Sequence, residues 1–323
     1  MKPLFLSAQN PLLLEARQAR FRPHPLLQIL IFLAVFLAVQ MGVGTLMVYP
    51  TVFWTLSNLD WSTVAAFADP AATAAAIVSS MPAWLALTSL FATVAEIEIP
   101  ILYCRCIERR SLRSMGLVRK GFLRRYGLGF LLGAGMLLAA GGLAALMGTA
   151  SFRLNATVPA LYILLFLAGY LVQGMAEEML LRGYFMVSLA SRAPVALAVG
   201  VSSVVFALLH LGNPGVTALA LVNLTLFGVF AGLFVLRTGS IAGACAIHSA
   251  WNFFQGNVLG VSVSGLPAQP SVLVYTAAES GALWNGGAFG LEGGLCVTLV
   301  LLAGVLLVLL LPARGAEGAA AER

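Results

Sequence analysis

Long runs of apolar residues, separated by short polar segments, dominate the chain and predict its secondary structure. The runs are too long for strands of a membrane β-barrel, which alternate in polarity over about 9–11 residues. We predict membrane-spanning helices at residues 26–49, 82–103, 126–147, 159–190, 194–211, 216–236, 241–259 and 295–311. The pattern therefore predicts an all-α fold, a polytopic membrane helix bundle of about eight transmembrane helices.

The composition agrees with this pattern. Of the 323 residues, 60% are hydrophobic and 9% are charged, and the mean hydropathy is +0.97. These values exclude a soluble globular domain. Four cysteines show no disulfide framework, and we interpret all of them as structural: Cys104, Cys106, Cys245 and Cys296.

The net charge of +6 is concentrated in the loop after the second predicted helix. This basic loop contains Glu108 and the cations Arg105, Arg109, Arg110, Arg113, Arg119, Lys120, Arg124 and Arg125. In a membrane protein such a loop marks the cytosolic side and contacts anionic headgroups. We therefore expect the lipid bilayer, and not nucleic acid, to be its partner. Basic residues before the first helix and at Arg192, Arg237 and Arg314 fit a multi-pass cell-membrane protein with both termini in the cytosol.

Three parts follow from the distribution of spans and loops. We predict that residues 1–125 form an N-terminal part with two spans and the basic loop, that residues 126–312 form the main helix bundle, and that residues 313–323 form a disordered tail. Residues 50–80 and 260–290 are rich in Pro, Gly or polar residues and are predicted to be external loops. No internal repeat is visible.

The fourth predicted helix carries Glu177, Glu178 and Arg182 within an otherwise apolar run. A charge at bilayer depth costs about 2.5–3.5 kcal/mol by insertion scales, so these charges need a reason. Glu178 and Arg182 are one helical turn apart in the favourable order for an ion pair. Glu177 points about 100° away and is predicted to lack an intrahelical partner, which leaves it free for chemistry. The helix must continue to about residue 190 for Glu177 to lie at the depth of the downstream histidines.

His210, His248 and Asn252 are the other polar residues that point to a site. Both histidines fall inside apolar runs, and His248 and Asn252 share a helix face. A desolvated carboxylate can act as a general base on water, and a neutral His can share the proton or join a metal site. A second His with an Asn amide supplies donors for a developing oxyanion. These residue types are those needed to add water to an acyl carbon.

The three segments resemble the CPBP family, which includes the type II CAAX prenyl proteases and bacteriocin-processing or Abi-type membrane proteins. Its motifs stand here as Glu177-Glu178-Met-Leu-Leu-Arg182, Phe206-Ala-Leu-Leu-His210 and His248-Ser-Ala-Trp-Asn252. The resemblance implies an intramembrane endopeptidase that cleaves a peptide bond near the cytosolic membrane face.

By the same resemblance, Glu177 and His210 activate water, while His248 and Asn252 form the oxyanion side. Glu178 and Arg182 support them. A divalent metal such as zinc, held by Glu177, His210 and His248, is the alternative to a metal-free, glutamate-dependent site. The implied substrate is a peptide or a membrane-protein tail, with or without a lipid.

Two other hypotheses account for the same polar residues. A proton-coupled transporter also uses intramembrane Glu, Arg and His, although no inverted repeat or pair of broken helices supports it. A catalytically silent scaffold or immunity protein would use them as bonds between helices. Glu96 and Glu98, in the second predicted helix, are expected to reach the membrane surface or to pair with Arg105; the alternative is that either of them contributes to the cavity.

Overall fold

The computed structural model describes residues 4–7, 9–58, 82–158, 160–267 and 269–310. Its helices are α1 (Pro11–Ala16), α2 (Pro25–Asn58), α3 (Ala83–Glu108), α4 (Phe122–Leu146), α5 (Ala160–Ala190), α6 (Val195–Leu208), α7 (Ala218–Thr238), α8 (Ala242–Phe253) and α9 (Leu295–Leu310). Two strands, β1 (Ala150–Leu154) and β2 (Leu273–Ala277), pair antiparallel. Shorter 3₁₀ and π turns and the helical turn Ala282–Asn285 connect these elements.

Helices α2 to α9 coincide with the eight predicted spans. Among the described helices, α2, α3, α4, α5 and α7 are long and apolar enough to cross a membrane, whereas α6 and α9 are apolar but shorter. Helix α8 is buried along its whole length. Because it packs against other helices and not against lipid, it can be less hydrophobic than the other predicted spans. The predicted helical bundle is therefore confirmed, while the number of eight membrane crossings stays a prediction.

Helix α2 is longer than predicted because it does not stop at Pro50. The proline lies inside the helix, which continues to Asn58. Residues 51–57 are mostly apolar or aromatic, and membrane helices tolerate proline where neighbouring groups re-satisfy the backbone. The predicted loop over residues 50–80 is therefore wrong for residues 50–58. The rest of that predicted loop, residues 59–80, and the predicted tail at 313–323 lie outside the described residues.

Within the part of the chain that the structure describes, a small β-sheet departs from the all-α prediction. Strand β1 follows α4, and β2 lies within the region that was predicted as an external loop at residues 260–290. The rings of Phe152 and Tyr275 face each other across the pair at 5.5 Å. Aromatic cross-strand pairs of this kind stabilise antiparallel strands.

Helix α8 lies at the centre of the bundle, against α4 and α5. Glycines allow these close contacts. A Cβ added at Gly133 of α4 would lie 2.4 Å from the Ile247 carbonyl oxygen, and one added at Gly174 of α5 would lie 2.5 Å from the Ser249 backbone nitrogen. Small residues at such positions let helix backbones approach closely in membranes. Ile247 and Ser249 are the sequence neighbours of His248, so the two contacts fix the position of His248 relative to α4 and α5.

Candidate active site

Helix α5 changes its winding where the charged motif occurs. It is α-helical to Glu178 and then π-helical over Met179–Met186, before a last α-helical turn ends at Ala190. The predicted continuation of the helix to about residue 190 is confirmed. Isolated π turns inside α-helices occur frequently at functional sites because they displace side chains from regular register.

Glu178 is the centre of a buried set of charges. Arg182 Nη1 donates to Glu178 Oε1 at 3.0 Å, and both side chains are completely buried. The same oxygen lies 2.9 Å from His248 Nδ1. An ionised carboxylate can only accept hydrogen bonds, so His248 carries a proton on Nδ1 and donates it to Glu178. The other ring nitrogen, Nε2, does not contact Glu178. The predicted Glu178–Arg182 pair is thus present, and it also orients His248.

Phe206, the first residue of the Phe-x-x-x-His motif, packs among these groups. The Arg182 guanidinium carbon lies 4.6 Å above the centre of its ring, which is cation–π geometry. The ring also contacts His210 and His248, with centroid distances of 4.9 Å and 5.9 Å. Phe227 packs edge-on against His248 at 5.0 Å from the opposite helix α7. Aromatic rings therefore keep water away from the buried cation and hold both imidazoles.

Glu177 has a partner on its own helix, contrary to the prediction. Gln173 Nε2 donates to Glu177 Oε1, and Asn252 Nδ2 donates to Gln173 Oε1 at 2.9 Å. The prediction failed because it compared Glu177 only with charged residues, although a glutamine lies one turn before it. The second carboxylate oxygen, Oε2, lies 3.6 Å from His248 Nε2.

His210 lies just beyond the end of its helix. The prediction placed it inside a span that ends at residue 211, but α6 ends at Leu208. The His210 amide bonds to the Ala207 carbonyl in a tighter turn, and His210 Nδ1 donates to the Phe206 carbonyl oxygen at 2.8 Å. The ring thereby satisfies one of the carbonyls that a helix end leaves unpaired. In a neutral imidazole this leaves the Nε2 lone pair to accept a proton.

These residues line one cavity of about 480 Å³. Its walls come from helices α2, α3 and α5 to α9, and they include Glu177, His210, His248 and Asn252. Glu96 also lines the cavity, so the expectation that it reaches the membrane surface is wrong, whereas Glu98 is exposed. The far wall contains Glu292, which accepts from Trp251 Nε1 at 3.2 Å. The N-terminal part therefore contributes to the same cavity as the motif helices.

The metal alternative names Glu177, His210 and His248 as the ligands. Among the described residues, no group of three or more His, Cys, Asp and Glu side chains is placed to hold a metal ion. His248 Nδ1 is engaged with Glu178, and His210 Nδ1 is engaged with a backbone carbonyl, which leaves one ring nitrogen on each. A carboxylate or a backbone carbonyl on the other ring nitrogen is also usual for metal-ligating histidines, so the metal-free and the metal-dependent site both stay predictions.

Two participants were not found from the sequence. Gln173 connects Asn252 to Glu177, and its signal was its spacing of one turn from Glu177. Glu292 accepts hydrogen bonds from Trp251, Gln255 and Ser264 at the far wall, and it lies between the predicted loop at 260–290 and the last predicted span. No local pattern around Glu292 indicates burial.

Comparison with known protein families gives a match to part of the chain. A family model described as type II CAAX prenyl endopeptidase Rce1-like matches residues 159–254. No curated protein and no solved structure matches the chain. The matched segment contains all three motifs, so the resemblance inferred from them is confirmed for this segment. The match and the apolar helices together support a CAAX-type protease, in general terms, within a multi-pass membrane protein.

Proposed function

We propose that the chain is an intramembrane endopeptidase in which Glu177 activates the attacking water. The observation that carries this proposal is the placement of Glu177 Oε2, 3.6 Å from His248 Nε2, at the wall of a cavity that also contains His210. The Rce1-like match over the same helices supports the same reaction class. Cleavage near the cytosolic membrane face follows from the predicted topology.

The charges define where a mobile proton resides. Glu178 and Arg182 neutralise each other, so they leave His248 and Glu177 as the remaining pair. If both were without a proton, the Nε2 lone pair of His248 would face a carboxylate oxygen at 3.6 Å, which is repulsive. One proton shared by Glu177 and His248 removes this repulsion and leaves the four groups without net charge. A low-dielectric site favours such an arrangement.

The reaction then proceeds as a hydrolysis with balanced protons. Water loses a proton to Glu177, or to His210 Nε2, as its oxygen forms a bond to the scissile carbonyl carbon. The carbonyl oxygen becomes an oxyanion, which protonated His248 Nε2 stabilises. When the carbon–nitrogen bond breaks, the accepted proton passes to the leaving amine. Asn252 keeps a second amide proton besides the one given to Gln173, and we propose that it adds to the oxyanion side.

The cavity also bears on the substrate. Both polar groups and many apolar side chains line it, which suits a peptide segment inserted from a membrane environment. We propose a peptide or a membrane-protein tail as the substrate, with or without a lipid on it.

The test is cleavage of a membrane-peptide library by the purified protein, read by mass spectrometry. Glu177→Gln keeps the side-chain size but removes the base, so we expect kcat to fall about 10²- to 10⁴-fold. Glu98→Gln is the matched control, because Glu98 is exposed on α3. Parallel reactions with a chelator are expected to keep their rate. Undiminished cleavage by folded Glu177→Gln protein would refute the assigned base, and loss of activity with chelator would favour the metal alternative.

A further inference from the structure

Arg110 is buried, although it belongs to the basic loop. Its side chain has 1% of its surface exposed, and its neighbours Arg105, Arg109 and Arg113 are exposed. The sequence prediction treated all of these cations as membrane-orientation charges. A buried guanidinium requires several hydrogen-bond acceptors, since each unpaired donor is costly away from water. Its partners therefore indicate what it does.

The guanidinium connects the loop to helix α5. Arg110 Nε pairs with Glu108 Oε2 at 2.5 Å, and Nη1 donates to the Ser114 hydroxyl at 3.1 Å. Nη2 lies 3.1 Å from Ser188 Oγ. Ser188 in turn donates to Glu108 Oε2 at 2.9 Å, which closes the network.

The same nitrogen reaches the backbone of the π-helical segment. Arg110 Nη2 donates to the carbonyl oxygens of Gly183 at 3.1 Å and Tyr184 at 3.4 Å. These two residues directly follow Arg182. Where a π turn interrupts an α-helix the regular ladder of hydrogen bonds is broken, so carbonyl groups there need partners from elsewhere. Arg110 supplies them from outside the helix.

We propose that Arg110 is a positioning residue for the active site. By holding the wide turn at Gly183 and Tyr184, it sets the direction of the Arg182 side chain. Arg182 holds Glu178, and Glu178 fixes the orientation of His248. Arg110 touches neither the cavity nor a reacting group, and it acts through this chain of contacts. The proposal rests on the proposed function, and it adds a determinant that lies outside the matched segment 159–254.

Arg110→Gln, Arg110→Lys and the double variant Glu108→Gln/Arg110→Gln test the proposal. The double variant removes both charges of the buried pair, so it covers the case in which Arg110→Gln alone fails to fold. Arg109→Gln is the matched control because Arg109 is adjacent and exposed. We expect kcat to fall about 10- to 100-fold with KM within about twofold, since a small displacement of catalytic groups lowers the rate without removing substrate contacts. Arg110→Lys is expected to recover part of kcat, and Arg109→Gln all of it.

A second measurement does not depend on activity. In protein labelled with ¹⁵N-histidine, the NMR shifts of the His248 ring nitrogens, assigned with a His248→Gln variant, report its bond to Glu178. We expect them to change in folded Arg110→Gln or double-variant protein and to stay unchanged in Arg109→Gln. Unchanged His248 shifts and kcat in folded variants would overturn the proposal. If the wild-type protein cleaves nothing, the proposed function fails, while the NMR result still decides whether Arg110 positions His248.

Discussion

Glu177 and Glu178 are adjacent in sequence and occupy different environments. The Glu178 side chain is fully buried and meets Arg182 and His248, whereas the Glu177 side chain is 23% exposed and lines the cavity. Consecutive residues on a helix point about 100° apart, so one acid faces the protein interior and the other faces the cavity. In the proposed mechanism, this difference separates a structural carboxylate from the reactive one.

Gln173 is expected to matter because it links Asn252 to Glu177. Gln173→Leu removes the donor to Glu177 Oε1 while keeping a side chain of similar size. Hydrogen bonds to charged groups contribute about 1.5–3 kcal/mol, which corresponds to a loss of about 10- to 100-fold in kcat if the bond is kept in the transition state. Peptide cleavage at saturating substrate measures this.

Gln40→Leu provides the control for this prediction. Gln40 lines the same cavity from α2 and undergoes the same chemical change. Its kcat is expected to stay within about threefold of wild type, since mutations away from the reacting groups have small effects. Equal losses in the two variants would show that cavity polarity, and not the Gln173 bond, sets the rate.

At this scale the sequence predicted the charged pair but not the neutral connection. The ion pair of Glu178 and Arg182 follows from spacing and sign alone. The bond from Asn252 to Gln173 joins residues 79 apart in sequence, and its formation depends on how α8 packs on α5. Hydrogen-bond chains between neutral amides leave no charge pattern in the sequence, so they require the packed structure.

Helices were predicted better than their ends. The apolar runs located α2 to α9, but Pro50 did not end α2, and α6 ended before His210. Apolar residues indicate burial in lipid or in the protein interior. Burial continues past the end of a helix, so an apolar run does not show where the helix ends. The turn at His210 depends instead on a local bond between its ring and the Phe206 carbonyl.

Close packing of α4 against α8 is expected to be essential for the site. Gly133→Ala would place a Cβ 2.4 Å from the Ile247 carbonyl oxygen, a contact that forces the helices apart. We expect unfolding in detergent to become easier by about 1–3 kcal/mol, as for other overpacked positions. Cleavage should fall as well, because Ile247 precedes His248 and moves with it.

Gly135→Ala is the matched control on the same helix. A Cβ at Gly135 has no neighbouring atom within 4 Å among the described residues. Its stability is expected to stay within about 1 kcal/mol of wild type, because alanine is the better helix former. Thermal unfolding in the same detergent compares the two variants. A Gly133→Ala protein as stable and as active as Gly135→Ala would show that the close approach of α4 and α8 is dispensable.

For the whole molecule, long-range pairing was the part that the sequence did not reveal. Strands β1 and β2 are separated by helices α5 to α8, and five residues in each strand are too few to stand out in an apolar chain. The burial of Arg110 is similar, because its partners at Gly183, Tyr184 and Ser188 are distant in sequence. The division into parts at residues 125 and 312 stays a prediction, although α2 and α3 line the cavity together with the motif helices.

The orientation in the membrane is the last prediction, and it rests on the basic loop. Arg119 is exposed in this loop, whereas Thr157 is exposed in the loop after β1, which is predicted to face outward. In a Cys106→Ser background, Arg119→Cys is expected to react with an impermeant maleimide only when the cytosolic face is accessible, because basic loops stay on that side. Thr157→Cys should react only from the opposite face, and the buried Cys104, Cys245 and Cys296 provide the unlabelled baseline. Labelling of both sites from one face would contradict an odd number of crossings between them, and reversed labelling would place the active site near the outer leaflet.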